Sequence, residues 1–278
     1  KTVWRDDAGQ HAVTSPVSLI VSAFAPVTDV RRTLTPALAH VSAGSALLLV
    51  DLGGGRNRLG GSALAQVFNQ LGDEPADLDD ADALLELFES VKQLRRDARL
   101  LAYHDRSDGG LIVTVLEMAF AGRAGLQLNV EALGNDALAA LFTEEPGCVL
   151  QVNAGHVDEV MTHFSRYPHL KTRTHLLGTI TTEDRIVINR GDQLLFESSR
   201  TELHRAWSET TWRMQSLRDD PCCADEQFDT LLDTTDPGLN VVADFEFSPQ
   251  PSASMLRNRP KVAILREQGV NGHVEMAA

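Results

Sequence analysis

The amino-acid sequence predicts a layered α/β fold, an α+β sandwich in which helices cover a sheet. Three observations carry that expectation. Short apolar runs bounded by turn residues alternate with longer stretches whose apolar positions recur at helical spacing. Two of the runs, 46–52 and 100–103, feed directly into glycine-containing loops that open helix-like stretches. The composition is that of a soluble globular chain: 43% hydrophobic and 23% charged over 278 residues, a length that allows one large domain or two smaller ones. Alternating elements of this kind argue for layers on a sheet, not for a helical bundle or a β-sandwich.

Ser15 to Pro26 reads as a strand bounded by prolines. Ala46 to Leu52 is an apolar run interrupted only by Asp51, as expected of a strand buried on both faces, and runs into Gly53-Gly54-Gly55 before a helix-like ALAQVFNQ at 63–70. That glycine loop either holds a phosphate or is a flexible connection; no Lys follows in P-loop spacing. Asp79 to Arg99 is an amphipathic helix with an apolar face of Ala81, Leu84, Leu85, Phe88, Val91 and Leu94. Its acidic start (Asp79, Asp80, Asp82) and basic end (Arg95, Arg96, Arg99) suit the helix dipole. Then come a strand at 100–103, a helix at 110–121, a strand at 126–130, a short helix at 136–142 and a buried strand at 147–152. A helix at 156–164 precedes strands at 175–180, 185–189 and 193–196, and 198–217 is a long helix carrying Trp207 and Trp212. Periodicity then disappears from Asp219 to Arg259, where prolines 221, 237, 249 and 251 sit among polar residues as in a linker. Lys261 to Leu265 reads as a new strand leading through Gly269 and Gly272 into a helix-forming close. No internal repeat or low-complexity tract is visible.

The chemistry lies in 104–110, His-Asp-Arg-Ser-Asp-Gly-Gly, between an apolar strand and an apolar helix. A helix N-terminus there offers N–H groups to an anion, and the glycines permit close approach. Asp105 is a hard oxygen ligand of the kind suited to the Mg²⁺ that accompanies nucleotide phosphates. A plain turn produces similar passages, so the signal is weak alone.

A formal net charge of −14, from 39 acidic and 25 basic residues, argues against nucleic acid and anionic membrane surfaces as partners. A phosphorylated ligand would need Mg²⁺, Arg or helix N-termini. The run from Leu111 to Ala121 is far below the roughly 20 apolar residues that span a bilayer. Cys148, Cys222 and Cys223 form no CxxC pair and no disulfide framework, which fits a reducing, cytoplasmic setting. The opening at Lys1 and the helix-forming close at Met276-Ala277-Ala278 lead us to expect a piece of a longer protein.

Four passages together resemble the large, single-chain form of phosphoribosylformylglycinamidine synthase: LLVDLGGG at 48–55, LAQVFNQLGDEPAD at 64–77, LAYHDRSDGGLIVTVLEMAFAG at 101–122 and RPKVAILREQGVNGHVEMAA at 259–278. WSETTWRMQSLRD at 207–219 and DPGLNV at 236–241 also match, so the likeness runs over essentially the whole chain; the third and fourth passages are specific to that family. Gly272 stands where relatives are expected to carry Ser. The resemblance implies a ligase of purine biosynthesis that converts formylglycinamide ribonucleotide to formylglycinamidine ribonucleotide, consuming ATP and glutamine. ATP would phosphorylate the substrate's amide oxygen, and ammonia from glutamine would displace the phosphate. Residues 1–220 would be the aminoimidazole ribonucleotide synthetase-like C-terminal domain of the second synthetase half. Residues 221–259 would be a linker, and 260–278 the truncated start of a class I glutamine amidotransferase (glutaminase) domain.

The resemblance also implies a tightly bound ATP or ADP with Mg²⁺ at an auxiliary site that does not turn over. Asp105 falls on the metal-ligand position and Ser107 on the nucleotide-contact position. The other Mg²⁺ ligands are expected upstream and the glutaminase Cys, His and Glu downstream of Ala278, so no catalytic residue is placed in this chain, which alone is expected to be inactive. Around Asp105, His104 reads as a strand-end hydrogen-bonding group or a general base, and Arg106 as a salt-bridge partner or a phosphate contact. Asp108 is expected to cap the helix at Gly109. Glu117 is a paired core carboxylate or an exposed one, Cys148 a core residue, and the Trp207/Trp212 pair packing. Two other classes remain beside the nucleotide-binding piece: a ligand-free structural module, and a self-sufficient Mg²⁺-dependent hydrolase or kinase using Asp105.

Overall fold

Neither face of the strand Ser45–Asp51 meets water, which places it inside a sheet with helices on both sides. The structure, a computed structural model, describes residues 1–14, 19, 21–27, 29–234, 242, 244–245, 261–269 and 271–277. We number the elements β1 (Thr2–Asp6), β2 (Gly9–Val13), β3 (Ser45–Asp51), α1 (Ala63–Val67), α2 (Ala81–Arg96), β4 (Leu100–Asp105), α3 (Gly110–Gly122), β5 (Gly125–Asn129), α4 (Ala137–Phe142) and β6 (Gly147–Asn153). Then follow α5 (Val157–Ser165), β7 (Thr174–Thr181), β8 (Ile186–Arg190), β9 (Gln193–Ser198), α6 (Arg200–Arg218), α7 (Pro221–Thr230) and α8 (His273–Ala277). The chain divides into two units, 1–234 and 235–278.

In the first unit seven strands form one sheet in the order β4-β6-β3-β7-β5-β8-β9. All neighbours are antiparallel except β5 and β8. Alternation along β3 splits the core in two. Leu47 and Leu49 meet Leu111, Val115 and Met118 of α3 on one face, joined by Ala140 of α4. Ala46, Leu48 and Val50 lie in a second cluster with Leu87 and Leu94 of α2 and Val160 and Phe164 of α5. The result is a mixed α/β layered domain, helices on both faces of a sheet. Among the described residues no helix is long and apolar enough to cross a membrane.

Helix α2 departs from the expected pattern. It buries Ala83, Leu87, Ser90 and Leu94, while Leu84, Leu85 and Phe88 are exposed. The apolar stripe is wider than the sheet can cover, and part of it lines a cleft described below. Helix α7 was not expected where a linker was read from residue 221. Its start is nevertheless physically ordinary: Asp220 accepts the N–H groups of Cys222 and Cys223, and Pro221 occupies a position where its missing N–H costs nothing. Trp212 of α6 stacks on Phe228 of α7 at 4.6 Å and donates its indole N–H to Asp225, so this Trp packs one helix on another. The hairpin β1–β2 is also new, its strands polar and largely exposed. Of the strand expected at 15–26, residues 15–18 and 20 lie outside the described residues, and the described ones form no strand.

In the second unit the run 261–267 forms no strand, and Val262 and Leu265 are exposed. A buried strand needs ladder partners, and the described residues of this unit provide none; α8 follows as expected.

Replacing Leu150, fully buried in β6, by Ala should cost about 2–5 kcal/mol in denaturant unfolding. Leu85→Ala, on the exposed side of α2, should stay within about 0.5 kcal/mol.

Candidate functional site

β3 and β4 lie on either side of β6, both antiparallel to it, so their C-terminal ends emerge at the same edge. Asp51 ends opposite Gly147 and Asp105 opposite Cys148. The turn entering β6, Thr143-Glu144-Glu145-Pro146, is thereby held between the two glycine loops. Buried Arg106 locks this arrangement: its Nη2 donates to Asp51 Oδ1 at 2.5 Å and to the Pro146 carbonyl, and its Nε to the Glu145 carbonyl. Arg58 closes the other side through Nε to Glu145 Oε1 at 2.6 Å and Nη2 to Asp79 Oδ2 at 2.7 Å.

Internal carboxylates take four of the N–H groups at the glycine loops and helix starts, those of Gly53, Gly55, Ala63 and Gly109. Asp51 accepts from Gly53 at 3.1 Å and Gly55 at 2.7 Å, so the triple-glycine loop is wrapped on a protein carboxylate; it is neither loose nor open to an anion. A Cβ on Gly53 would come within 2.6 Å of the Glu145 side chain, which is why no larger residue fits there. Glu144 Oε1 accepts from Ala63 N at the start of α1 and from Gly109 N at the start of α3, each at 2.8 Å. Asp108 therefore does not cap α3: the N-cap is Gly109, left-handed at φ 84° and without a side-chain cap, and a carboxylate from another element takes its N–H. Gly110, also at positive φ (76°), would drive a Cβ to 2.6 Å from the Phe142 carbonyl carbon.

Asp105 and Ser107 are exposed at the end of β4. Asp105 Oδ1 accepts the Tyr103 hydroxyl at 2.5 Å; no hydrogen bond among the described residues reaches its Oδ2. Asp105 and Tyr103 border a cleft of about 710 Å³ whose apolar wall is Leu34, Leu84, Phe88 and Val91, with Lys92, Arg95 and Arg106 also on its lining. His104 is held at both ring nitrogens, Nδ1 against the Asp105 carbonyl at 2.8 Å and Nε2 against Glu117 Oε2 at 3.1 Å, so it is a strand-end clamp and not a free base. Cys148 is fully buried, and burial pushes its thiol up to about 12, as suits a core residue.

Mg²⁺ binds through one or two carboxylates and completes its shell with phosphate and water oxygens. Among the described residues no three His, Cys, Asp or Glu side chains are gathered to hold a metal by themselves. One exposed carboxylate facing a cleft fits the role of a single Mg²⁺ ligand. Asp105 and Ser107, expected from the sequence, lie together at one exposed loop; Tyr103, Asp51, Glu144 and Glu145, which shape it, were not expected. Only the TEEP acid pair ahead of a buried strand hinted at the last two.

A doubly covered, mostly antiparallel sheet with paired strand–glycine loop–helix junctions at one edge defines the class. Residues 42–190 match the family described as AIR synthase related protein, C-terminal domain, and the chain belongs to that family. Solved structures that resemble it include Thermotoga maritima PurL complexed with ATP, at 11% identity and TM-score 0.49 over 63% of this chain and 27% of that one. The same protein complexed with FGAR matches at 12% identity and TM-score 0.49, over 63% of this chain and 30% of that one. Escherichia coli HypE, a hydrogenase maturation protein, matches at 19% identity and TM-score 0.41, over 57% and 49%. The chain thus spans about a third or less of the PurL chains it matches.

Removing Arg106 (Arg106→Ala) strands Asp51 in a buried setting and should cost about 3–5 kcal/mol in urea unfolding. A separate pH dependence follows from the α2 cap. His169 Nδ1 sits 3.0 Å from Asp80 Oδ2; the hydrogen bond to Asp80 raises His169 above 6.5, and the same bond holds Asp80 below 3.8. The His contribution is complete below pH 6.5 and lost as pH rises through the higher folded value; the Asp contribution is lost as pH falls below 3.8. The difference in melting temperature between wild type and His169→Gln should therefore be largest between about pH 4 and 6.5 and shrink at alkaline pH.

Proposed function

We propose that this chain is one wall of an auxiliary Mg²⁺–nucleotide site in an ATP- and glutamine-dependent carbon–nitrogen ligase that makes formylglycinamidine ribonucleotide. The observation that carries the reading is Asp105: a carboxylate at a strand end, facing a cleft, with one oxygen anchored and the other free of protein partners among the described residues. Membership in the AIR synthase related family and the passages quoted above support the wider assignment. Asp105 would supply one cation ligand and Ser107 a hydroxyl to the nucleotide. When bound, the cation would neutralise phosphate charge, which matters in a chain of net charge −14.

This chain's residues position and do not transform. Both nitrogens of His104 are engaged, and Arg106 is bound to Asp51 and two carbonyls. Neither is available to move a proton or to bind a transferring phosphoryl group. A nucleotide that stays bound acts as a structural element. The chain beyond Thr234 would connect this domain to a glutaminase domain beginning near 260.

In the full-length protein, Mg-ADP at about 100 times its dissociation constant should stabilise the fold by about 2.7 kcal/mol, read as a rise in melting temperature that Asp105→Ala removes. No rise would leave a ligand-free structural module. Steady ATP hydrolysis by the 278-residue chain, expected to be at background, would instead make Asp105 part of a working hydrolase.

A further inference from the structure

Tyr103 and Asp105 are two positions apart on β4, so their side chains leave the same face of the strand. The phenol donates to Asp105 Oδ1 at 2.5 Å, the short end of the range for a hydroxyl on a carboxylate. Its ring rests partly buried against the α2-side core, which fixes the direction of the O–H. One carboxylate oxygen is thus engaged by a group that has no other proton to give.

Resting on the Mg²⁺–nucleotide reading, we propose that Tyr103 is a positioning residue that sets the ion preference of the site: by occupying one lone pair of Oδ1 and fixing the carboxylate's orientation, it favours coordination of a cation through Oδ2. Coordination through a single oxygen suits Mg²⁺, which takes about six ligands in near-octahedral geometry and fills the remainder from phosphate and water. Ca²⁺ takes about 6–8 oxygens and readily uses both oxygens of a carboxylate. The Tyr103 hydrogen bond competes with that mode. The hydroxyl therefore selects against the larger ion without touching it.

The test is calorimetric titration of ADP into the full-length protein with Mg²⁺ or with Ca²⁺, comparing wild type, Tyr103→Phe and Asp105→Asn. Wild type should favour Mg-ADP. Tyr103→Phe, once its melting curve confirms folding, should weaken Mg-ADP about tenfold, the scale of one hydrogen bond to a charged group, while Ca-ADP is unchanged or tighter. An unchanged Mg²⁺/Ca²⁺ ratio in Tyr103→Phe, with cation dependence lost in Asp105→Asn, would overturn the Tyr103 role and leave the nucleotide site standing. ADP binding that ignores both cations in wild type would remove the site and this inference together. A crystal structure of the wild-type Mg-ADP complex decides the matter even if Tyr103→Phe does not fold: one Asp105 oxygen on the ion and the other on Tyr103 is expected, and coordination through both oxygens overturns it.

Discussion

The edge of the sheet that carries the candidate site is organised by one buried cation. Arg106 has no solvent to satisfy it, and its guanidinium must find acceptors in fixed directions. It finds them on β3 (Asp51) and on the turn before β6 (the Glu145 and Pro146 carbonyls), so three adjacent strand ends are held in register by one side chain. Glu145, buried in the same turn, is in turn neutralised by Arg58, whose carbonyl accepts the Thr143 hydroxyl. Such pairs do little for net stability compared with apolar packing, but breaking one leaves an uncompensated charge. The penalty enforces the geometry of both loops.

That constraint decides what a ligand can still use. The backbone donors most often recruited for phosphate, at the glycines and helix starts, are here turned onto Asp51 and Glu144. What remains outward is an acceptor, Asp105, and a hydroxyl, Ser107. An acceptor cannot bind phosphate directly; it can bind a cation that does. The loop that looks from its composition like an anion cradle therefore has four of its backbone donors turned onto protein carboxylates, which is why the proposed function gives it a cation and not a bare anion.

Much of the architecture was legible. The near-continuous apolar runs at 46–52 and 147–152, each with a single polar side chain (Asp51, Gln151), marked doubly covered strands, because a strand with helices on both faces has no solvent-facing side. The placement of Asp105 and Ser107 together at an exposed strand end was legible since the strand, the charged loop and the helix are contiguous in sequence. The acceptors that fix that loop were not, because they come from residues some 35 to 55 positions away whose pairing exists only once β6 lies between β3 and β4. The β1–β2 hairpin escaped because exposed polar strands carry no burial pattern. Helix α7 escaped because Pro221 was weighed as a linker residue when Asp220-Pro221 is equally a helix start. On α2 the periodicity was right and the buried face was not: a stripe reaching from Ala81 to Leu94 cannot all meet one sheet.

The surplus stripe on α2 bears on how the site works. Leu84, Phe88 and Val91 line the same cleft as Asp105, with Lys92, Arg95 and Arg106 also on it, so the carboxylate borders a wall with much hydrocarbon and no second carboxylate. A cation beside an apolar wall loses water that the wall cannot replace, and its attraction to a carboxylate strengthens as the local dielectric falls. One carboxylate is still too little: an ion that keeps about six oxygens must draw the others from a ligand, from water or from protein outside this domain. In the proposed site, cation and nucleotide binding would therefore depend on one another: one carboxylate would hold the ion poorly alone, an acidic chain would repel the phosphates alone, and each would become favourable in the presence of the other.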